Sequence, residues 1–163
     1  MCVRLLKMKF AAALLLFPVV FAVKCPTNYD NLYGDKCIRV LTDRLRNWED
    51  ARAACQQDGG DLVSVHSEEE NDQLYSIAQR SGAPKWIGLL ALQDSGPTAW
   101  TDGTPIDYKN FFLDFDDDCL SGAGYFDSGY TISPGSAGFG SQWNCTPDFS
   151  ANHAICQAPP VSH

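Results

Sequence analysis

Lys85-Trp86-Ile87-Gly88-Leu89 reads as a short buried strand between two runs of turn residues, Ser81-Gly82-Ala83-Pro84 before it and Asp94-Ser95-Gly96-Pro97 after it. An indole, a branched aliphatic, a glycine and a leucine in succession suit a strand packed on both faces, with another segment pressed against it where the glycine leaves room. This is the signature of a core and carries no catalytic chemistry. The segments on either side decide which core it is.

Working back from this strand, Ser67 with Glu70 forms a capping box for a helix whose apolar face is Leu74, Ile77 and Ala78 and whose end is Gly82. The acids Glu68, Glu69 and Glu70 sit where a helix N-terminus favours negative charge, which accounts for them without a metal. Asp61-Leu62-Val63-Ser64-Val65 reads as a further short strand. Before it, Asn47 caps a helix that carries Trp48, Ala51, Ala54 and Cys55 at helical spacing and stops at Gly59-Gly60. Tyr29, Tyr33, Ile38 and Val40 can line a small hairpin containing Cys25 and Cys37. Beyond the strand, Trp100-Thr101-Asp102-Gly103-Thr104-Pro105 places an indole before a turn, and from Phe112 to Gln142 both periodicities fade into acids, glycines and isolated aromatics. A long irregular stretch inside a compact domain is where recognition is expected.

The chain opens with Arg4, Lys7 and Lys9, an apolar run from Phe10 to Phe21, and small residues suited to cleavage after Ala22. This is the pattern of a secretory signal peptide over residues 1–22, since the run falls well short of the roughly 20 residues that span a bilayer. The mature domain is expected over residues 23–163, secreted and extracellular, with no membrane insertion. Residues 1–22 hold three of the twelve Lys and Arg and none of the twenty Asp and Glu, so the mature net charge is −11. That balance argues against nucleic acid or an anionic membrane as a partner. Of seven cysteines, Cys2 leaves with the leader, and the even set Cys25, Cys37, Cys55, Cys119, Cys145 and Cys156 implies three disulfides, with fifteen connectivities open. Zinc is poorly served, because the chain has no Cys-x-x-Cys pair and its three histidines are scattered.

Set in order, the motifs are an N-terminal cysteine pair, Trp48-x-x-Ala51-x-x-x-Cys55, the run from Gly60 through Ser67 to Asn71, Trp86-Ile87-Gly88-Leu89, Trp100-x-Asp102-Gly103, Asp118-Cys119, Trp143-Asn144-Cys145 and Ile155-Cys156. The sequence from Cys25 to about Ala158 resembles a C-type lectin-like domain of the long form. The resemblance implies an α+β fold of two helices flanking two small antiparallel sheets, with a long loop region on one side. It also implies the pairings Cys25–Cys37, Cys55–Cys156 and Cys119–Cys145, and carbohydrate binding as the function.

Sugar binders of this family hold one Ca²⁺ with carboxylates and amides of the long loop and with an Asn-Asp pair after the late tryptophan. Ca²⁺ takes six to eight oxygens, so it accepts sugar hydroxyls only when the protein supplies most of the rest. Here no Glu-Pro-Asn or Gln-Pro-Asp tripeptide lies between Phe111 and Cys119; the segment reads Phe112-Leu113-Asp114-Phe115-Asp116-Asp117-Asp118. Asp117 and Asp118 keep the acidic pair, and Asn144 is kept, but Cys145 stands where the aspartate is expected. Asp114, Asp116, Asp117 and Asp118 with Asn144 or Asp148 form either an altered Ca²⁺ site or a solvated acidic loop. Asn144 also heads the only Asn-x-Ser/Thr sequon, and glycosylation and metal ligation exclude each other there.

Two functions follow. One is a secreted glycan- or glycoprotein-binding module of the kind used in innate recognition. The other is a Ca²⁺-independent domain for a protein or another non-sugar ligand, using Tyr125, Phe126, Tyr130 and Phe139 of the glycine-rich stretch 121–142, unless those rings pin the loop to the core. An enzyme is not expected: Gly-x-Ser-x-Gly, His-Glu-x-x-His and phosphate-loop motifs are absent, and His66 and His153 lack a serine or cysteine framework.

Overall fold

Gly88 shows why the central strand has its composition. Its N–H donates to the Val63 carbonyl at 2.8 Å and its own carbonyl accepts from the Thr101 N–H at 2.9 Å. A Cβ built there would lie 2.7 Å from Thr101 Oγ1 and 2.8 Å from the Leu62 carbonyl oxygen, so two backbones close on the strand where it has no side chain. The structure, a computed structural model, describes residues 24–33, 36–45, 47–91, 99–112, 128–135, 140–147 and 149–161.

The described elements are β1 (Asn31–Tyr33), β2 (Lys36–Leu45), α1 (Trp48–Gln57), β3 (Asp61–Leu62), α2 (Glu68–Ser81), β4 (Lys85–Ala91), β5 (Ser128–Ile132), β6 (Trp143–Pro147) and β7 (Asn152–Ala158). Both helix starts form as the cap residues dictate. Asn47 Oδ1 accepts from the Asp50 N–H at 2.7 Å, and Ser67 Oγ accepts from the Glu70 N–H at 3.2 Å. The Glu70 carboxylate reaches back to the His66 N–H at 2.7 Å, one residue further than a standard capping box. Gly82 ends α2 with φ of 66°, in the left-handed region that favours glycine.

The strands are ordered β1-β2-β7-β4-β5-β6, with β3 also paired to β7. The family pattern implies two antiparallel sheets. Here the ladder β1-β2-β7-β3 and the ladder β4-β5-β6 are joined by a short parallel pairing, Lys85 opposite His153 and Trp86 opposite Ala154, into one mixed sheet. Alternation along β4 and β7 then divides the core. Ile87, Leu89 and Ile155 join Leu74, Ala78, Trp100, Tyr130 and Trp143 on the α2 face. Trp86, Ala154 and Cys156 join Trp48, Ala51 and Cys55 on the α1 face. With both faces covered, β4 is apolar almost throughout, as a strand of that position must be.

The pairings Cys25–Cys37 and Cys55–Cys156 are present. Cys145 is also disulfide-bonded; Cys119, which the family pattern assigns to it, lies outside the described residues. None of the helices among the described residues is long and apolar enough to cross a membrane.

Candidate functional site

Strand β6 forms the edge of the sheet and the foot of the long loop region, and its anchoring starts from one indole. Trp143 is fully buried, and its Nε1–H donates to Asn71 Oδ1 of α2 at 2.7 Å. The Asn71 and Asn110 amides both donate to the Ser141 carbonyl at 3.1 Å. The main chain of residues 110–112 clasps Trp143 from both sides, through Trp143 N–H to the Asn110 carbonyl at 2.7 Å and Phe112 N–H to the Trp143 carbonyl at 2.9 Å. Trp100, Tyr108 and Phe111 each meet the Trp143 ring edge-on, with centroids 5.3, 5.8 and 5.4 Å away. Residues 112 and 141–143 are thereby fixed to one another and to α2, and the stretch between them, read from the sequence as loop, contains the paired strand β5 at 128–132.

With Trp143 and Cys145 on the core side, the strand's alternation leaves Asn144 and Thr146, both partly exposed, on the other. Asn144 Nδ2 donates to the Gln142 carbonyl at 3.4 Å, and its main-chain carbonyl accepts from Thr146 Oγ1 at 3.4 Å. Thr131 of the neighbouring strand lies opposite Asn144, with its hydroxyl 3.2 Å from that of Thr146. Of the other residues weighed for metal or ligand contact, Asp114, Asp116, Asp117, Asp118, Asp148, Tyr125, Phe126 and Phe139 lie outside the described residues. Tyr130 is 1% exposed and stacks against Phe111 with centroids 5.2 Å apart, so this ring packs in the core and offers no surface to a ligand. Among the described residues no group of three His, Cys, Asp or Glu converges as a metal site.

The structure corrects the reading of His66 as lacking a serine framework. Its Nδ1 lies 2.6 Å from Asp107 Oδ1 and its Nε2 3.2 Å from Ser64 Oγ, in the order of a carboxylate–imidazole–hydroxyl relay. The sequence signal for it was the spacing Ser64-x-His66 alone. The arrangement is poorly suited to attack. Ser64 is fully buried, its hydroxyl donates to Asp102 Oδ2 at 2.6 Å, and Ser64 Oγ itself accepts from the Lys36 ammonium at 2.8 Å. The proton that a base would need to remove is already hydrogen-bonded to the Asp102 carboxylate, and the serine oxygen is loaded with other partners.

Asp102 is the hub of this network. It also accepts from Gln157 Nε2 at 2.7 Å and from the Thr104 hydroxyl and N–H at 2.5 and 2.9 Å. Partial burial raises its pKa, but the hydrogen bonds from Ser64, Thr104 and Gln157 together outweigh this and hold it down at about 2. Asp107 is lowered as well, chiefly by its hydrogen bond with His66. The network ties β2, the chain after β3, the turn at 101–104 and β7 to one another, and it borders a cavity of about 310 Å³ lined in part by Lys36, Asp61, Asp102 and Gln157.

Residues 44–158 match the model of the lectin C-type domain family, and the chain belongs to that family. It is 38% identical over 100 residues to the type-2 ice-structuring protein of Brachyopsis segaliensis, a match covering 61% of this chain and 56% of that one. The chain spans between about a quarter and little more than half of the length of such curated relatives. Among solved structures, a calcium-independent type II antifreeze protein superposes with a TM-score of 0.70 at 28% identity, covering 86% of this chain and 98% of that one. The carbohydrate-recognition domain of cow CD23, solved with a GlcNAc2Man3 oligosaccharide, also gives 0.70 at 28% identity, covering 86% and 99%.

Proposed function

We propose that this domain is an extracellular binding module that recognises glycans without Ca²⁺, through the partly exposed face of β6 and the loop segments rooted beside it. The observation that carries the reading is the state of Cys145. Sugar binders of the family place a carboxylate after the late asparagine, whereas this chain places a cysteine that packs on the core side and is disulfide-bonded. It has no oxygen to give, and the Asn144 amide is turned to the Gln142 carbonyl. A Ca²⁺ ion at this position is short of ligands from β6, so the described part of the set does not fit the ion. Asn144 and Thr146, partly exposed on the same face of β6, carry an amide and a hydroxyl of the kind that hydrogen-bonds a hydroxyl-rich ligand directly. Nothing in this chemistry calls for turnover.

Disulfides within the domain support an oxidising, extracellular location. A second reading, a non-sugar ligand such as ice, is favoured by the likeness to the ice-structuring and calcium-independent antifreeze proteins. A glycan array run with and without chelator, alongside measurement of thermal hysteresis, separates the readings. Chelator-resistant glycan binding supports the proposal. Binding abolished by chelator sinks its Ca²⁺ independence, and silence on the array with thermal hysteresis replaces glycan by ice.

A further inference from the structure

We propose that the cavity between the end of β2, the α2–β4 turn and the start of β7 binds a small oxyanion, gripped by Arg44 and His153 with the Lys85 ammonium behind them. The cavity measures about 240 Å³ and is lined by Arg44, His153, Asn152 and the Gly82–Pro84 turn. In a chain of net charge −8, this is a concentration of cationic and protonatable groups.

Lys85 is fully buried at the start of β4. Its Nζ donates to Ser81 Oγ at 2.6 Å and to the Ala83 carbonyl at 2.9 Å, and lies 3.2 Å from His153 Nδ1. All three partners are neutral acceptors, and among the described residues Lys85 forms no ion pair. An ammonium taken out of water without a counter-charge carries a large desolvation penalty, which a nearby anion offsets. Two of its partners, Ala83 and His153, are themselves walls of the cavity.

The wall residues carry donors suited to an anion. Because His153 Nδ1 accepts from the lysine, the ring's hydrogen sits on Nε2, which is then a donor. The Arg44 guanidinium is held by the Ala151 carbonyl through Nε at 3.3 Å and Nη2 at 2.9 Å, which fixes its plane and leaves the Nη1 hydrogens for a ligand. The charges facing His153 are Lys85 of β4 and Arg44 and Asp43 of β2. Burial, then Lys85 and Arg44, lower the ring's pKa, against a smaller opposing effect of Asp43. The neutral ring, with Nδ1 taken by the lysine and its hydrogen on Nε2, is thus the form that meets the anion. This site uses none of the residues at the foot of the long loop and stands whether or not the domain binds glycans.

The test is an NMR titration of the ¹⁵N-labelled folded protein with sodium sulfate and, separately, sodium acetate, at pH 7.5, with chloride holding ionic strength constant. Saturable shifts at the amides of 82, 83 and 151–153 are expected for sulfate or acetate and not for chloride. Preference for sulfate assigns sulfate or phosphate esters, and preference for acetate assigns carboxylates. R44Q, at an exposed position, and H153Q, which keeps a hydrogen-bonding side chain, should each weaken binding at least fivefold. Linear shifts spread over the surface, or saturable binding unaltered in both variants, overturn the proposal.

Discussion

A Cβ at Gly88 meets backbone on one side and a threonine hydroxyl on the other, at 2.8 and 2.7 Å. Backbone does not swing aside as the end of a long side chain does, so G88A must spread β4 from the segments at 62–63 and 101. The expected loss is about 2–3 kcal/mol, the scale of overpacking a dense core, read as a fall in the urea midpoint. A loss under about 0.5 kcal/mol would show that the strands part freely. This contact was legible in the sequence, because a glycine inside an otherwise apolar strand has few other reasons to be there. The Asp102 hub was not, since its partners Ser64 and Gln157 lie 38 and 55 residues away and nothing local marks them. The pKa of Asp102 gives that hub a pH signature. The folded value of about 2 lies below the ordinary carboxylate value of about 3.9, so the stabilisation is full above that value and fades as pH falls toward 2. Stability of the parent chain should therefore drop more steeply between pH 5 and 2 than that of D102N. The difference should be about 1 kcal/mol after solvent screening of a half-open site. Parallel pH profiles for the two proteins would show that the carboxylate contributes nothing through its charge.

Whole elements were read where their signals are local: two N-caps, a left-handed glycine at the end of α2, and the apolar run of β4. The parallel join of β4 to β7 escaped such reading because it uses residues 153 and 154 of β7, beyond the two that β3 pairs, which no periodicity encodes. The same limit applies to the foot of the long loop. Trp143 stands out in the sequence, yet its partner Asn71 lies on a helix 72 residues earlier. Replacing Trp143 by Phe removes the indole donor and leaves the fully buried Asn71 carbonyl oxygen without it. A loss of about 3 kcal/mol is expected, from an unsatisfied buried acceptor plus lost ring contacts. Loosening β6 should also weaken ligand binding more than the stability loss alone explains, which an affinity measurement at a temperature where the variant stays folded will show. Unchanged affinity in a destabilised W143F would mean that the ligand surface does not rest on this strand.

At the scale of the whole molecule, the two described disulfides do different work. Cys25–Cys37 closes a separation of 12 residues and staples one hairpin, whereas Cys55–Cys156 closes 101 and fastens α1 to β7, the strand that pairs with β2, β3 and β4. In the chain-entropy account the short loop contributes about 3 kcal/mol and the long one nearly 5, so their removal should be unequal by about 2 kcal/mol. The long bridge also has the more buried setting, since Cys55 and Cys156 are both fully inaccessible while Cys25 is partly open. Replacing each cysteine by alanine in pairs, C25A with C37A and C55A with C156A, keeps the comparison free of new unpaired thiols. Urea denaturation at neutral pH should give the second variant a clearly lower midpoint, with a larger m-value if its unfolded chain expands once the hundred-residue loop is opened. Equal midpoints would mean that β7 is held by its ladder hydrogen bonds and side-chain packing without help from the bridge.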